Sequence, residues 1–398
     1  MAISGLAVTF PFMNLSAAFG AGVGVGSSSY LSVKLGQRDY STAQRILGNN
    51  ITLNIIIGFI FSVVSLIFLD PILYFFGASD QTIPYAREYM IIILLGNIIT
   101  HLYFGMNAVL RAASKPRQAM YTTIFTVVLN SILDPLFIYT FDMGIRGAAI
   151  ATILSQTVAL VWQIRLFSDK GELLHLKRGI YRLDNIIVKN ILGIGISPFA
   201  MNATACLVAI FVNQRLLEYG GDLAVGAYGI ANRVAFIFIM INFGVNQGMQ
   251  PIAGYNYGAQ NYDRLMRVLK LAMIAGTCVT TSGFIVAEFM PHLCVRLFTN
   301  DKVLTDLAVN GIRIMMAAMP IVGYQMIVTN FFQSIGKAKI SIFLSLSRQL
   351  LFLVPLIGVM PVFFGVNGVW VAMPISDSFS AIFALVMMVR YMRVFKKR

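Results

Sequence analysis

The sequence predicts an all-α polytopic membrane protein built from two pseudo-symmetric helical lobes, with five spans in the first and six in the second. Three observations predict it. Apolar runs of membrane length recur from end to end, basic residues crowd into alternate connections, and the second half repeats the first at a nearly constant offset.

The chain has 398 residues, of which 58% are hydrophobic and 12% charged. Water-soluble domains carry roughly 25% charged residues to cover a solvated surface. Half that share, with apolar runs longer than the roughly 18 residues needed to span a bilayer, makes lipid the solvent. The formal net charge of +14 raises nucleic acid as a partner. The basic residues sit in short clusters between apolar runs and form no continuous face, which excludes it. Cys206, Cys278 and Cys294 have neither metal-site nor disulfide spacing, and the three histidines are scattered.

Eleven spans are expected, near 2–33, 45–76, 83–112, 117–142, 147–168, 186–217, 222–257, 262–293, 301–334, 339–360 and 366–394. Gly or Pro punctuates many of the short connections between them. One set of connections carries Lys34, Arg38 and Arg45, then Arg111, Lys115 and Arg117, then the run from Arg165 to Lys189. The same set continues with Arg264, Arg267 and Lys270, with Lys337 and Lys339, and with the basic C-terminus. The opposite set holds only Arg87, Arg146, Arg215, Arg296, Lys302 and Arg313. The rule that cytoplasmic loops are basic puts the first set, and the C-terminus, in the cytoplasm of a multi-pass protein of the inner (plasma) membrane. The polar connection 169–185 divides an N-terminal lobe, 1–168, from a C-terminal lobe, 186–398.

The repeat is visible in three places. KLGQRDYSTAQRIL (34–47) aligns with NYGAQNYDRLMRVL (256–269), and RAASKPR (111–117) with QSIGKAK (333–339), both at an offset of 222. GIRGAAIATILS (144–155) aligns with GVNGVWVAMPIS (365–376) at 221. The span near 186–217 has no partner in the first half; its partner would precede Met1. The pattern therefore reads as six plus six with the first helix missing, and a gap is expected beside the first-half site.

Asp134 lies deep in an apolar run. A carboxylate at such depth costs several kcal/mol unless paired, protonated or wet, so it is a candidate functional group. Asn130 is one helical turn earlier and shares its face. The connection near 142–147 is short, so the flanking helices form an antiparallel hairpin. That puts Thr152 within roughly 3–5 Å of the depth of Asp134. Tyr89 starts its own span at a similar level. These oxygen-bearing side chains suit a hard cation, or a proton on the carboxylate. The plainer reading is that Asp134 serves a local hydrogen bond at a Pro-disturbed helix, and that Tyr89 is an interfacial anchor. Asp377, near mid-bilayer in the last span, is a possible second protonatable site, or a polar residue satisfied by water. Arg233 and Arg348 also fall inside spans and are expected to snorkel or bind backbone carbonyls.

The segments SSSYLSVKLGQRDYSTA (27–43), NSILDPLFIY (130–139), NQGMQPIAGYNYGAQNYDR (246–264) and GVNGVWVAMPISD (365–377) resemble the multidrug and toxic compound extrusion (MATE) family of antiporters. The resemblance runs from about residue 5 to the end. It implies export of amphipathic, often cationic compounds in exchange for Na⁺ or H⁺, with a central cleft between two lobes opening to alternate sides. It also implies that Asn130, Asp134 and Thr152 belong to the ion site. No cofactor beyond the coupling ion is implied, the partners are the lipid bilayer and small amphipathic molecules, and a monomer is expected. Two rival readings make demands that the sequence does not meet. A lipid-linked oligosaccharide flippase wants a strongly basic cavity, whereas only two arginines lie within spans. An intramembrane enzyme wants HExxH or paired aspartates in adjacent spans, and the sequence carries neither.

Overall fold

A computed structural model describes the backbone of residues 2–396 and the side chains of residues 9–393. Among these there is helix and no strand. The helices are α1 (Ala2–Gly36), α2 (Tyr40–Ile67), α3 (Leu69–Phe75), α4 (Ile83–Leu95), α5 (Asn97–Ala112), α6 (Pro116–Pro135), α7 (Gly144–Ser168) and α8 (Asn185–Gly258). They continue with α9 (Tyr262–Phe289), α10 (Pro291–Arg296), α11 (Lys302–Met316), α12 (Met319–Ser334), α13 (Ala338–Leu346), α14 (Val354–Phe364) and α15 (Val366–Lys396). Leu136–Thr140 extends α6 as a π turn, and Ser347–Leu353 joins α13 to α14 in the same way.

Among the described residues, seven helices are long and apolar enough to cross a membrane, and two bent pairs raise the number to nine. One of the seven is the 74-residue α8, which breaks at Gly221. There the backbone takes φ 67°, ψ −168°, a conformation open to glycine and strained for other residues. With α8 counted as two arms and the 35-residue α1 included, the helices follow the eleven expected segments in order.

The repeat is written into the backbone as well as the sequence. The bends of α4/α5 and α11/α12 are 54° and 49°, at Gly96 and near Ala318. Short helices α3 and α10 begin at residues 69 and 291. Positive φ angles recur at Arg38 and Gln260, at Ser114 and Gly336, and at Gly144 and Gly365. Asp39 caps α2 by accepting from the Thr42 backbone N–H, and Asn261 caps α9 by accepting from that of Arg264.

The chain forms two compact units, 1–202 and 203–398. The division therefore falls within α8 and not at the polar connection. The physical cause lies in unit 1, where the start of α8 packs on α1 through bare backbone. A Cβ on Gly26 would overlap the Ile191 carbonyl, and one on Gly195 would overlap that of Gly22. Ile187 and Ile191 join the same buried cluster as Leu31, Leu47 and Leu110. A cavity of about 920 Å³, walled by Phe12, Phe19, Phe61 and Phe199 among others, lies between α1, α2, α3 and this arm. Its walls do not include Asp134, Asn130, Thr152 or Tyr89.

The connection 169–184 is strapped onto α2. Asn49 donates to the Arg182 carbonyl (3.2 Å) and accepts from the Asp184 N–H (3.0 Å), Thr52 donates to the Tyr181 carbonyl (2.9 Å), and Arg45 pairs with Asp184 (2.7 Å). Within the connection, Leu174 and Ile180 are buried.

Helix contacts within unit 1 carry polar groups. Ser16 donates to Asn97 (2.6 Å), and the wholly buried His101 ring meets the Ser16 carbonyl through Nε2 (3.0 Å). Interhelical polar bonds in lipid contribute about 0.6 kcal/mol each on average, so such contacts fix register more than they add stability. The repeat exchanges partners at one contact. In unit 1 the Asn54 amide fills the space that a Cβ on Gly105 would take. In unit 2 the equivalent positions hold Gly276 and Ile327, and the larger residue has moved to the opposite helix. Volume is kept while its source changes sides.

Candidate functional site

Asp134 sits one residue before Pro135, where α6 passes into its π turn. Proline has no N–H to continue the α-helical ladder, so the local loosening follows from the sequence. π turns of this kind recur at functional sites. Asp134 is partly buried, and Asn130 Nδ2 donates to its Oδ1 at 3.1 Å, the one-turn pairing expected from the spacing. Among the described residues no Lys, Arg or His forms an ion pair with it.

Tyr89 lies on α4 and is 7% exposed. Helix α7 packs against both α4 and α6 and carries Thr152. The Thr152 hydroxyl donates to the Ala148 carbonyl of its own helix (3.0 Å), not to the carboxylate. The structure thus brings Asn130 and Asp134 into direct contact, buries Tyr89 on α4, which packs on α7, and has Thr152 satisfied locally. A carboxylate with an amide beside it can hold a proton or contribute to a site for a hard cation.

One turn beyond Thr152, Gln156 accepts from the Thr100 hydroxyl of α5 at 2.5 Å. This link was not anticipated from the sequence. Its signal was available, since Gln156 is the repeat partner of Asp377.

Asp377 belongs to unit 2 and is 7% exposed. Arg348 donates from Nε to its Oδ1 at 2.6 Å, and Ser376 donates to the Arg348 carbonyl at 2.6 Å. Arg348 stands in the π turn between α13 and α14. Its guanidinium therefore neither snorkels nor binds a carbonyl but pairs with the one carboxylate of the last span, and Asp377 is satisfied by that arginine and not by water alone. The two line a cavity of about 140 Å³ with Tyr228, Asn232 and several methionines. Arg233 behaves differently, with its guanidinium over the Phe298 ring, 6.0 Å from the centroid.

Against known proteins, the chain is 27% identical over 383 residues to the multidrug export protein MepA of Staphylococcus haemolyticus. That alignment covers 96% of this chain and 84% of the relative. The MepA of Staphylococcus aureus matches to the same extent. Among solved structures, one described as MATE in the bent conformation superposes with a TM-score of 0.94 at 24% identity, over 100% of this chain and 88% of that one. An outward-facing multidrug resistance MATE family transporter of the MOP superfamily gives 0.93 at 24%, over 100% and 89%. These two likenesses establish the fold. The MatE family matches residues 1–136 and 195–357, about three quarters of the sequence. The chain belongs to the MatE family of multi-pass membrane transporters.

Proposed function

We propose that this protein exports amphipathic, cationic small molecules by antiport with Na⁺ or H⁺, and that Asp134 carries the coupling ion. The observation that carries this reading is the state of Asp134. It is a carboxylate inside a membrane-spanning helix, held by one amide and lacking a basic partner among the described residues. Such a group is costly in lipid until a cation neutralises it. Binding Na⁺ or a proton removes the charge, and a ligand that binds two conformations unequally shifts the balance between them. Asn130 orients the carboxylate, and Tyr89 walls the site. Thr152 stands by as a neutral ligand that can turn from its own carbonyl. The multidrug export named for the staphylococcal relatives supports the substrate class.

The proposed orientation has the basic connections and the C-terminus in the cytoplasm, from the distribution of Lys and Arg. Export of a lipophilic dye cation such as ethidium from cells tests the function. Asp134→Asn keeps the shape and hydrogen bonding and removes the charge, so efflux is lost at unchanged protein level. Asn130→Ala and Thr152→Ala weaken it less. Wild-type efflux by Asp134→Asn overturns the proposed ion site.

A further inference from the structure

The partly buried ion pair of unit 2 is not explained by stability. Opposite charges in a low-dielectric interior gain little over well-packed apolar residues, because both lose their hydration. Ionisable groups inside a membrane span point to a pathway or a ligand. The first unit lacks the pair, since the repeat puts Thr126 and Gln156 at its positions.

The pair is also incompletely used. A guanidinium offers five N–H donors in a planar fork. Arg348 spends one of them, Nε, on Asp377, and its terminal amino groups have no hydrogen-bond partner among the described residues. The side chain of Arg348 is 30% exposed and that of Asp377 10%, and both line the cavity. Carboxylates match the free edge of such a fork in a two-pronged geometry.

The cavity supplies the rest of a binding site. Its volume, about 140 Å³, is close to that of the roughly 150 Å³ apolar cavity known to hold benzene. Met315, Met316, Met319 and Met373 line it, and methionine walls adapt to varied apolar shapes. Tyr228 and Asn232 add a hydroxyl and an amide. The charged and titratable groups of the lining are Arg348, Asp377 and Tyr228, with no second cation.

We propose that Arg348 and Asp377 form an exchangeable carboxylate site. The guanidinium holds Asp377 when the cavity is empty and takes the carboxylate of a ring-sized organic acid, or the acid end of a zwitterionic amphiphile, when it is filled. The guest brings a second negative charge to one guanidinium. Two carboxylates so close do not both stay ionised, so Asp377 takes up one proton as the guest enters and releases it as the guest leaves. This site stands whether or not Asp134 couples transport.

Benzoate is the probe, with benzylammonium and benzyl alcohol as controls of charge. Calorimetry on the full chain in lipid nanodiscs, run at one pH in two buffers of different ionisation enthalpy, reads affinity and proton uptake together. Benzoate binds wild type with uptake of a proton, and neither control binds. Arg348→Gln weakens benzoate by about tenfold or more, the scale of a lost hydrogen bond to a charged group. Asp377→Asn binds at least as tightly as wild type but takes up no proton. The double variant Arg348→Gln/Asp377→Asn, whose neutral pair keeps the shape and folding, binds benzoate no more tightly than about the level of Arg348→Gln and takes up no proton. Asp134→Asn binds as wild type does. Equal binding of benzoate by the folded double variant, binding of benzyl alcohol as tight as benzoate, or no benzoate binding by wild type overturns the proposal.

Discussion

Gly105 is the position at which the packing of unit 1 can be tested most sharply. A Cβ added there would overlap Asn54 Nδ2 and lie 3.2 Å from Asn50 Oδ1. Asn54 is itself fixed, donating to the Asn50 carbonyl (2.8 Å) and side chain (3.1 Å). Overpacking a filled contact costs about 1–3 kcal/mol. Breaking the asparagine bond adds about 0.5–1 kcal/mol. Removing a helix-interior glycine returns about 1 kcal/mol for alanine. Gly105→Ala is therefore destabilising by about 1–2 kcal/mol, and Gly105→Ile, with more volume and less propensity gain, by about 3 kcal/mol. At about 2–4 °C per kcal/mol for a unit of this size, the isoleucine variant melts about 6–12 °C lower. The second half of the chain supplies the control, because Gly276 and Ile327 already hold the reversed arrangement. Gly105→Ile/Asn54→Gly therefore recovers at least half the loss. Melting of the detergent-solubilised protein, followed by tryptophan fluorescence with Trp162 as the reporter in unit 1, reads this directly. A wild-type melting temperature for Gly105→Ile, or no recovery in the pair, refutes the reasoning.

Removing the cap with Asp39→Ala lowers stability by about 1 kcal/mol, as does Asn261→Ala at the repeat position. The Thr42 hydrogen bonds and Lys34 hold the Asp39 carboxyl below its ordinary range. Its contribution is therefore complete above the unfolded carboxylate range and is lost as the pH falls through the depressed value. Asp39→Asn keeps the cap and loses that acid dependence in a melting series. Asn49→Ala cuts two bonds to the 169–184 connection, so limited trypsin cleaves faster at Arg178 and Arg182. Unchanged cleavage means that the strap is held elsewhere. Gly195→Ala pushes a methyl group into the Gly22 carbonyl and lowers the melting temperature, whereas Gly193→Ala, which meets open space, does not.

The helical fold was legible because lipid demands long apolar segments, and because Gly and Pro punctuate them. The repeat was legible because the same residues stand at equivalent helix ends: Gly36 and Gly258 close α1 and α8, and Lys115 and Lys337 precede α6 and α13. The short helices α3 and α10 were not separable, since Asp70–Pro71 and Glu288 with Pro291 interrupt their apolar runs too briefly to mark a new helix. The division of α8 between the units was equally hidden, because it depends on glycines of two helices meeting, not on any signal within one. At the site, Asn130 and Asp134 share one helix and their contact followed from its period. Thr152 and Tyr89 come from other helices, where sequence gives depth but not which way a hydroxyl donates. The Arg348–Asp377 pair joins helices 29 residues apart in sequence. The π turn that rotates Arg348 toward its partner adds a shift that no α-helical period anticipates.

The central claim is that neutralisation of Asp134 drives transport. Its most direct test uses purified protein in proteoliposomes, with ethidium flux measured under an imposed pH gradient and, separately, an imposed Na⁺ gradient. Wild type moves ethidium against its own gradient under one of the two, and Asp134→Asn does so under neither, while Asp377→Asn retains the coupling. Gradient-driven flux by Asp134→Asn at the wild-type rate would contradict the claim.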